Sequence, residues 1–367
     1  MTAKTRVAVL GTGKIGRLVA YLLADSGDYA VTAVDADEAS ARAAIVGPDG
    51  AALPDASAAA ADFASRADLE RVLAGHRYAV SCAPYYVNVG IAEAAAASGA
   101  HYLDLTEDVA TTRAVRQLAA QGGATAFIPQ CGLAPGAITI IASHLAASFD
   151  RLDTVQMRVG ALPLHTSNRL KYALTWSTEG LINEYGNPCE AVVGGRLIEV
   201  QPLDGLEALS IEGEPYEAFN TSGGLGTLAD TLAGRVRQLD YKTIRYPGHR
   251  DAIALLMNDL RLNEDRGTLK RILEHALPTT LEDVVLVLVT VTGWQGDRLV
   301  QRSHARKHPH RMLGGGAWGA IQVTTAAGIT AVLDLHAAGQ LPAAGFVRQE
   351  DVDYEAFMAN RFGRLYA

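Results

Sequence analysis

Three glycines, Gly11, Gly13 and Gly16, stand in the spacing GTGKIG between a β-branched run, VAVL, and a helix-like stretch, RLVAYLLADSG. No other feature narrows the fold so far. Glycine permits a tight turn, and the missing side chains let backbone N–H groups approach an anion at the positive end of the following helix. A second apolar run, Ala30 to Val34, comes next, so strand, turn, helix and strand follow in the order of a βαβ unit. This order predicts a dinucleotide site at Gly11, Gly13, Lys14, Ile15 and Gly16, with the pyrophosphate lying against the backbone.

The same alternation of short strand-like runs and Ala-rich helical stretches continues to about Phe127, which predicts a Rossmann-type doubly wound parallel sheet in an α/β fold. Strands are expected at Val7 to Leu10, Ala30 to Val34, Tyr78 to Cys82, Tyr102 to Asp104 and Ala124 to Ile128. The Ala-rich stretch 51–61 reads as helix or loop within a crossover, because Asp62 and Leu69 resume helical spacing. Asp35 ends the second strand, about 20 residues beyond the last glycine, where a carboxylate hydrogen-bonds the adenosine ribose. Its charge favours NAD: a 2′-phosphate about 4 Å away would meet a repulsion of roughly 4 kcal/mol per unit charge at an effective dielectric of 20. Cys82, Ala83 and Pro84 end a further strand at the carboxyl edge of the sheet, and their small size lets a cofactor rest on the backbone.

After Cys131 the pattern turns strand-rich, with runs at Val155 to Gly160, Ala191 to Val193, Leu197 to Val200, Leu209 to Ile211, Val284 to Thr292 and Arg298 to Gln301. A second α+β domain with a mixed, largely antiparallel sheet is expected. An apolar helix from Ala317 to Leu335 carries Gly319, Thr324, Thr325 and Gly328, small residues suited to close packing on another backbone. The resulting division is 1–130 for the dinucleotide domain, 131–316 for the substrate domain, and 317–367 for a helical segment returning to the first.

Lys plus Arg number 32 against 40 for Asp plus Glu, a formal net charge of -8, which disfavours nucleic acid and anionic membrane as partners. The apolar runs, such as Val284 to Val291, are too short to cross a bilayer, and MTAKTRVAVLG lacks the pattern of a signal peptide. Cys82, Cys131 and Cys189 form neither a disulfide framework nor a zinc pattern, which fits a reducing cytoplasm. His304, His308 and His310 in RSHARKHPHR are interrupted by Pro309 and crowded by Arg302, Arg306, Lys307 and Arg311. They read as a solvated basic turn and not as a metal site.

GTGKIG together with YLDLTED (Tyr102 to Asp108), CGLAPG (Cys131 to Gly136), TWSTEGLINEY (Thr175 to Tyr185), FNTSGGLGTL (Phe219 to Leu228) and YKTIRYPGH (Tyr241 to His249) resembles the saccharopine dehydrogenase-like superfamily over most of the chain. The resemblance is nearest to its lysine 6-dehydrogenase branch. It implies NAD-dependent oxidative deamination of the L-lysine ε-amino group to 2-aminoadipate 6-semialdehyde, which cyclises to 1-piperideine 6-carboxylate, and at least a homodimer. Saccharopine-forming relatives carry an acidic residue in the GLxPG motif and an arginine after WS. Here Ala134 and Ser177-Thr178-Glu179 occupy those places, so a second dicarboxylate arm on the substrate has less support.

For such a reaction the ε-amine, with a free pKa of about 10.4, must lose its proton before hydride leaves. Asp104 and Glu107, with Thr106 between them, lie at the ligand edge of the sheet and could hold the ammonium and take its proton. Asp108 or Thr106 alternatively caps a helix starting near Val109. The substrate α-carboxylate needs donors, which Ser222 and Gly223 in a Gly-rich turn entering a helix near Leu225, or Arg245, could supply. His249 could bind substrate or shuttle a proton, Lys171 could act as base if buried, and Trp176 could wall the alkyl chain. Two other readings stay open: reductive condensation of saccharopine or carboxynorspermidine type, and an NAD-binding sensor or scaffold without turnover.

Overall fold

The computed structural model describes residues 4–367, so the first three residues of the polar N-terminal leader lie outside the described residues. In chain order the first elements are β1 (Thr5–Leu10), α1 (Lys14–Asp25), β2 (Tyr29–Asp35), α2 (Glu38–Ala43), β3 (Ala56–Ala60), α3 (Arg66–Leu73), β4 (Tyr78–Ser81), α4 (Asn88–Ala97), β5 (His101–Asp104), α5 (Val109–Ala120), β6 (Ala126–Ile128) and α6 (Ala137–Ala146). There follow β7 (Arg151–Pro163), α7 (Thr178–Gly186), β8 (Cys189–Val193), β9 (Arg196–Val200), β10 (Glu207–Ile211), β11 (Glu214–Asn220), α8 (Leu228–Leu232), β12 (Gln238–Arg245), α9 (His249–Ala254), α10 (Arg266–Ala276), β13 (Asp283–Gln295) and β14 (Arg298–Pro309). The chain ends with β15 (Arg311–Leu313), β16 (Gly316–Trp318), α11 (Ala320–Ala337), β17 (Gly345–Phe346) and α12 (Tyr354–Ala359).

Two compact units result. The first takes the described residues up to Ile140 together with Met312–Ala317 and Gln322–Ala367, and the second takes Ile141–Arg311 and Trp318–Ile321. In the first unit a seven-stranded sheet runs β17-β6-β5-β4-β1-β2-β3, every pairing parallel. The strand order reverses between β1 and β4, and a parallel sheet of this kind binds ligands at its carboxyl edge at such a reversal. Val7 to Leu10 are fully buried, as a central strand covered on both faces requires.

One expectation for this unit is corrected. Residues 56–60 are neither helix nor loop but strand β3, paired with β2 from Val31↔Ala56 to Asp35↔Ala60. Alanine's helix preference is weak beside the hydrogen bonds that an open sheet edge offers, and Pro54 followed by Asp55 at φ 51 breaks the chain just upstream. The small residues of α11 do permit close approach within the first unit. A Cβ on Gly328 would lie 2.7 Å from the carbonyl oxygens of Cys131 and Gly132.

The second unit's sheet runs β10-β11-β12-β7-β13-β14, with β8 joined to β12 and β9 to β8. Only the β12–β7 pairing is parallel. The basic stretch read as a turn is a strand instead: β14 extends through Pro309 along β13, with Val289 opposite His304 and Val285 opposite His308. Its alternation was masked because an edge strand carries arginines whose stems lie on the sheet while their heads stay in water. One core of this unit gathers Tyr172, Leu181, Ile182, Tyr185, Phe219, Ile253 and Met257, with Trp176 packed at its margin. Among the described residues no helix is long and apolar enough to cross a membrane.

Candidate active site

In the first unit the glycine turn has two kinds of glycine. Gly11 sits at φ 89, and a Cβ on Gly16 would fall 1.8 Å from the Gly11 oxygen, so both are demanded by the turn itself. Gly13 is different: its φ of −67 suits any residue, and a Cβ there would meet nothing within 4 Å. Packing within the chain therefore gives no reason for glycine at the N-cap of α1, where no side-chain capping bond forms. A pyrophosphate drawn to the helix N-terminus supplies that reason, and the turn fits a dinucleotide. Lys14 and Ile15 open α1, and burial lowers the Lys14 pKa.

Asp35 Oδ2 accepts from the Thr12 backbone N–H at 2.7 Å and the Thr12 hydroxyl at 2.8 Å, so the carboxylate at the tip of β2 is tied to the glycine turn. The cap of α2 is Asp37, which accepts from Ser40 N–H at 2.9 Å; Asp35 is not needed for it. Cys82 follows β4 with its N–H on the Leu10 oxygen, and Ala83 lies beside Gly11. Pro84 leads into the short turn of helix at Tyr85–Val87. Burial pushes the Cys82 thiol up to about 12, which keeps it a thiol.

The DLTED segment divides its labour differently from expectation. Asp104 is fully buried, and its carboxylate already accepts from Gln130 N–H at 2.8 Å, Thr106 N–H at 3.0 Å and the Tyr102 hydroxyl at 2.7 Å. Burial raises its pKa to about 6 against these bonds. Asp104 therefore clamps the end of β5 to the 130–131 segment and is no open base for a substrate. Thr106 Oγ1 accepts from Asp108 N–H, and Asp108 caps α5 through Thr111 N–H at 2.7 Å. Glu107, half-buried at the same edge, is the remaining carboxylate of the motif proposed for catalysis.

In the second unit, strand β12 ends at Arg245 and helix α9 begins at His249, while α7 delivers Glu184 and Tyr185. Arg245 Nε donates to the Tyr185 hydroxyl at 2.7 Å, which in turn donates to His249 Nε2 at 3.0 Å. His249 Nδ1 donates to the Leu170 oxygen at 2.7 Å, and this fixes the Nδ1–H tautomer of a neutral ring. Burial, reinforced by the Arg245 charge, pushes the imidazole down to about 3. His249 is thus a buried acceptor with both nitrogens engaged, which corrects its expected part as a proton shuttle.

Arg245 is 2% exposed, with the Tyr172 ring 5.1 Å and the Tyr185 ring 5.6 Å from its guanidinium carbon. Besides Tyr185 it reaches the Ile244 oxygen at 2.9 Å and Glu184 Oε2 at 3.4 Å. Three of the five guanidinium N–H groups thus have acceptors, and among the described residues two have none. Glu184 Oε1 likewise makes no hydrogen bond. Burial pushes the Glu184 carboxyl up, and Arg245 opposes that rise.

Trp176 Nε1 donates to the Tyr172 hydroxyl at 3.0 Å, Lys171 Nζ donates to the Pro247 oxygen at 2.8 Å, and Ser222 N–H donates to the Glu184 carbonyl at 2.9 Å. The structure therefore brings Lys171, Trp176, Ser222, Arg245 and His249 into one neighbourhood. The Gly-rich turn enters α8 at Leu228, a little beyond the expected start near Leu225, but that helix has five residues, too few for an anion site built on helix N–H groups. Gly223 takes φ 89 for the turn, and Gly224 makes room for the Tyr241 ring, which a Cβ would approach to 2.3 Å. Glu184, Tyr185 and Tyr172 were not singled out in the sequence. The available signal was a carboxylate among the buried positions of α7, beside Leu181, Ile182 and Tyr185.

Among the described residues no cluster of three or more His, Cys, Asp or Glu is placed to hold a metal ion. The doubly wound parallel sheet, with a glycine turn open to a pyrophosphate, defines the class: a dinucleotide-binding protein of Rossmann type with a second α+β unit. The sequence profile of the Saccharopine dehydrogenase NADP binding domain matches residues 7–127, and that of the Saccharopine dehydrogenase C-terminal domain matches residues 132–365. The chain belongs to the saccharopine dehydrogenase family. Its fold is similar to that of the apo saccharopine dehydrogenase (L-Glu forming) from Saccharomyces cerevisiae, at 16% identity over 95% of each chain and a TM-score of 0.78. A DAP dehydrogenase from C. glutamicum in complex with DAP aligns more loosely, with 13% identity over 100% of this chain and 98% of that one and a TM-score of 0.48.

Proposed function

We propose that the protein oxidises the ε-amino group of L-lysine with NAD, giving 2-aminoadipate 6-semialdehyde, which cyclises to 1-piperideine 6-carboxylate. The observation that carries an amino-acid substrate is Arg245. A buried guanidinium with two N–H groups lacking acceptors is costly unless a ligand completes it, and a carboxylate matches it bidentately. Ala134 in CGLAPG and Ser177-Thr178-Glu179 after Trp176 favour lysine over saccharopine, in line with the family's pattern.

Gly11, Gly13, Lys14, Ile15 and Gly16 would hold the pyrophosphate, with Cys82, Ala83 and Pro84 at the same edge of the sheet, and Asp35 would take the ribose hydroxyls, which favours NAD over NADP. The nicotinamide, when bound, supplies the acceptor for the hydride that leaves Cε. Arg245 grips the α-carboxylate and Trp176 lies along the alkyl chain, and the ammonium proton must leave before the hydride. Loss of hydride leaves an imine, and water adds to it and releases ammonia. The protein acts in the cytoplasm as at least a homodimer, without metal, nucleic acid or membrane.

Purified protein mixed with NAD and L-lysine should produce NADH, with o-aminobenzaldehyde trapping the cyclised product. Saccharopine, ornithine and 2-aminoadipate in parallel should react far less. NADH from saccharopine and none from lysine would overturn the assignment.

A further inference from the structure

Glu184 raises a question that a carboxylate clamp alone leaves open. It lies 3.4 Å from Arg245, longer than the roughly 2.7–2.9 Å of a strong charge-assisted bond, and its second oxygen has no partner among the described residues. The groups around the pair are held uncharged: burial raises the Tyr172 and Tyr185 phenols, raises the Cys189 thiol, and lowers the His249 imidazole. Arg245 and Glu184 are therefore a buried cation and a carboxyl side by side, the carboxyl pushed up by burial and drawn back toward its charged form by Arg245, and neither has all its hydrogen-bonding places filled within the described residues.

A carboxylate arriving alone at Arg245 would place two carboxylates on one buried guanidinium, which low-dielectric surroundings penalise. A zwitterion adds no net charge. Its carboxylate oxygens answer the two N–H groups of Arg245 that lack acceptors, and its ammonium answers the open oxygen of Glu184. From this complementarity we propose that Glu184 and Arg245 form one head-group site for the α-ammonium and α-carboxylate of an amino acid, with Glu184 as the specificity residue. This rests on Arg245 being a carboxylate site, but not on lysine being the substrate. It has a consequence for the chemistry: with the α-amine engaged by Glu184, oxidation falls on an amine at the far end of the side chain.

The probes are L-norleucine, which carries the whole head group on an apolar tail, hexanoate, which has only the carboxylate, and 1-aminopentane, which has only the amine. Binding is measured by calorimetry on the full chain with NAD present. Wild-type protein should prefer norleucine to hexanoate by about tenfold or more, and Glu184→Gln should bring the two within about threefold, chiefly by weakening norleucine. Equal binding of hexanoate and norleucine to the wild type overturns the proposal. So does an E184Q variant that weakens both alike, since Glu184 would then merely position Arg245.

Should the variant fold poorly, the wild type decides by itself. Norleucine titrated in buffers of different ionisation enthalpy should show no proton uptake. Uptake of about one proton would mean that a proton, and not an ammonium, answers Glu184, and would overturn the proposal. A norleucine preference that depends on Glu184, in a protein that leaves lysine unoxidised, would uphold the head-group site while removing the lysine reaction. Failure of both carboxylates to bind would remove the head-group site and the Arg245 reading together.

Discussion

The glycine turn of the first unit and the Arg245 network of the second solve a similar problem with opposite means. Each is proposed to present N–H donors to an anion. In the turn the donors belong to the backbone, room comes from absent side chains, and no formal charge needs burying. In the network the donors belong to a guanidinium enclosed by Tyr172, Tyr185 and Glu184, so orientation comes from side-chain packing and charge must be balanced in the interior. The contrast shows that a local segment can specify the first kind of site, while the second exists only once distant segments have packed.

The largest expected effect comes from closing the turn. Gly16→Ala drives a methyl into the Gly11 oxygen, and NAD-dependent turnover should fall by about a thousandfold or more in steady-state assays. Gly13→Ala sharpens the comparison, because the same methyl meets no protein atom. It should leave the unfolding temperature unchanged while weakening NAD by about tenfold; unchanged NAD affinity in a fluorescence titration would break the ligand explanation of that glycine.

Next comes the network. Arg245→Met should lower kcat/KM for the amino acid by about 10²–10³, mostly through KM, corresponding to roughly 3–4 kcal/mol. Arg245→Lys should not restore it, because a point charge cannot reproduce the guanidinium fork. A variant that loses kcat alone would show that Arg245 does not bind the ground-state substrate.

Asp35→Ser tests the turn's selectivity. Removal of the carboxylate repulsion should shift the NADP-to-NAD ratio of kcat/KM upward by about tenfold or more. An unchanged ratio would mean that Asp35 serves only the Thr12 bonds.

Stability against pH separates the two regions more gently. His249 titrates near 3 when folded against 6.5 unfolded, so the unfolded chain binds the extra proton between these values. Its contribution is complete above 6.5 and is lost as pH falls toward 3, with a slope of about 1.4 kcal/mol per pH unit inside that window. Asp104, raised to about 6 from 3.8, acts in the reverse sense. Its contribution is present below 3.8 and is lost as pH rises through 6. Urea unfolding of His249→Gln should show a flatter acid limb than wild type, and Asp104→Asn should remove an opposing slope between these two values. The smallest effect should come from metal removal: dialysis against EDTA should change kcat by less than about twofold, since hydride transfer is the cofactor's own chemistry.

Most of the parallel sheet was legible because β-branched runs and the glycine spacing are local signals. Strand β3 was not, since five residues of Ala and Ser carry no pattern until β2 offers an edge. The basic strand β14 was hidden by charged residues, and β11 and β12 by their interruption with Pro215, Glu217, Asp240 and Lys242. Asp104 looked like an exposed base at a strand end. Only the fold reveals that Gln130, far along the chain, takes up the same oxygen as Thr106.

The sequence by itself determined the dinucleotide turn, the acidic end of β2, and the two-part α/β and α+β character, because these depend on neighbours within a few tens of residues. Tertiary structure alone decided that Glu184, Tyr185, Arg245 and His249 share one interior, that the imidazole stays neutral, and that the guanidinium keeps two donors open. Charge state and hydrogen-bond satisfaction depend on burial and on partners some 60 residues away, and burial is a property of the packed chain.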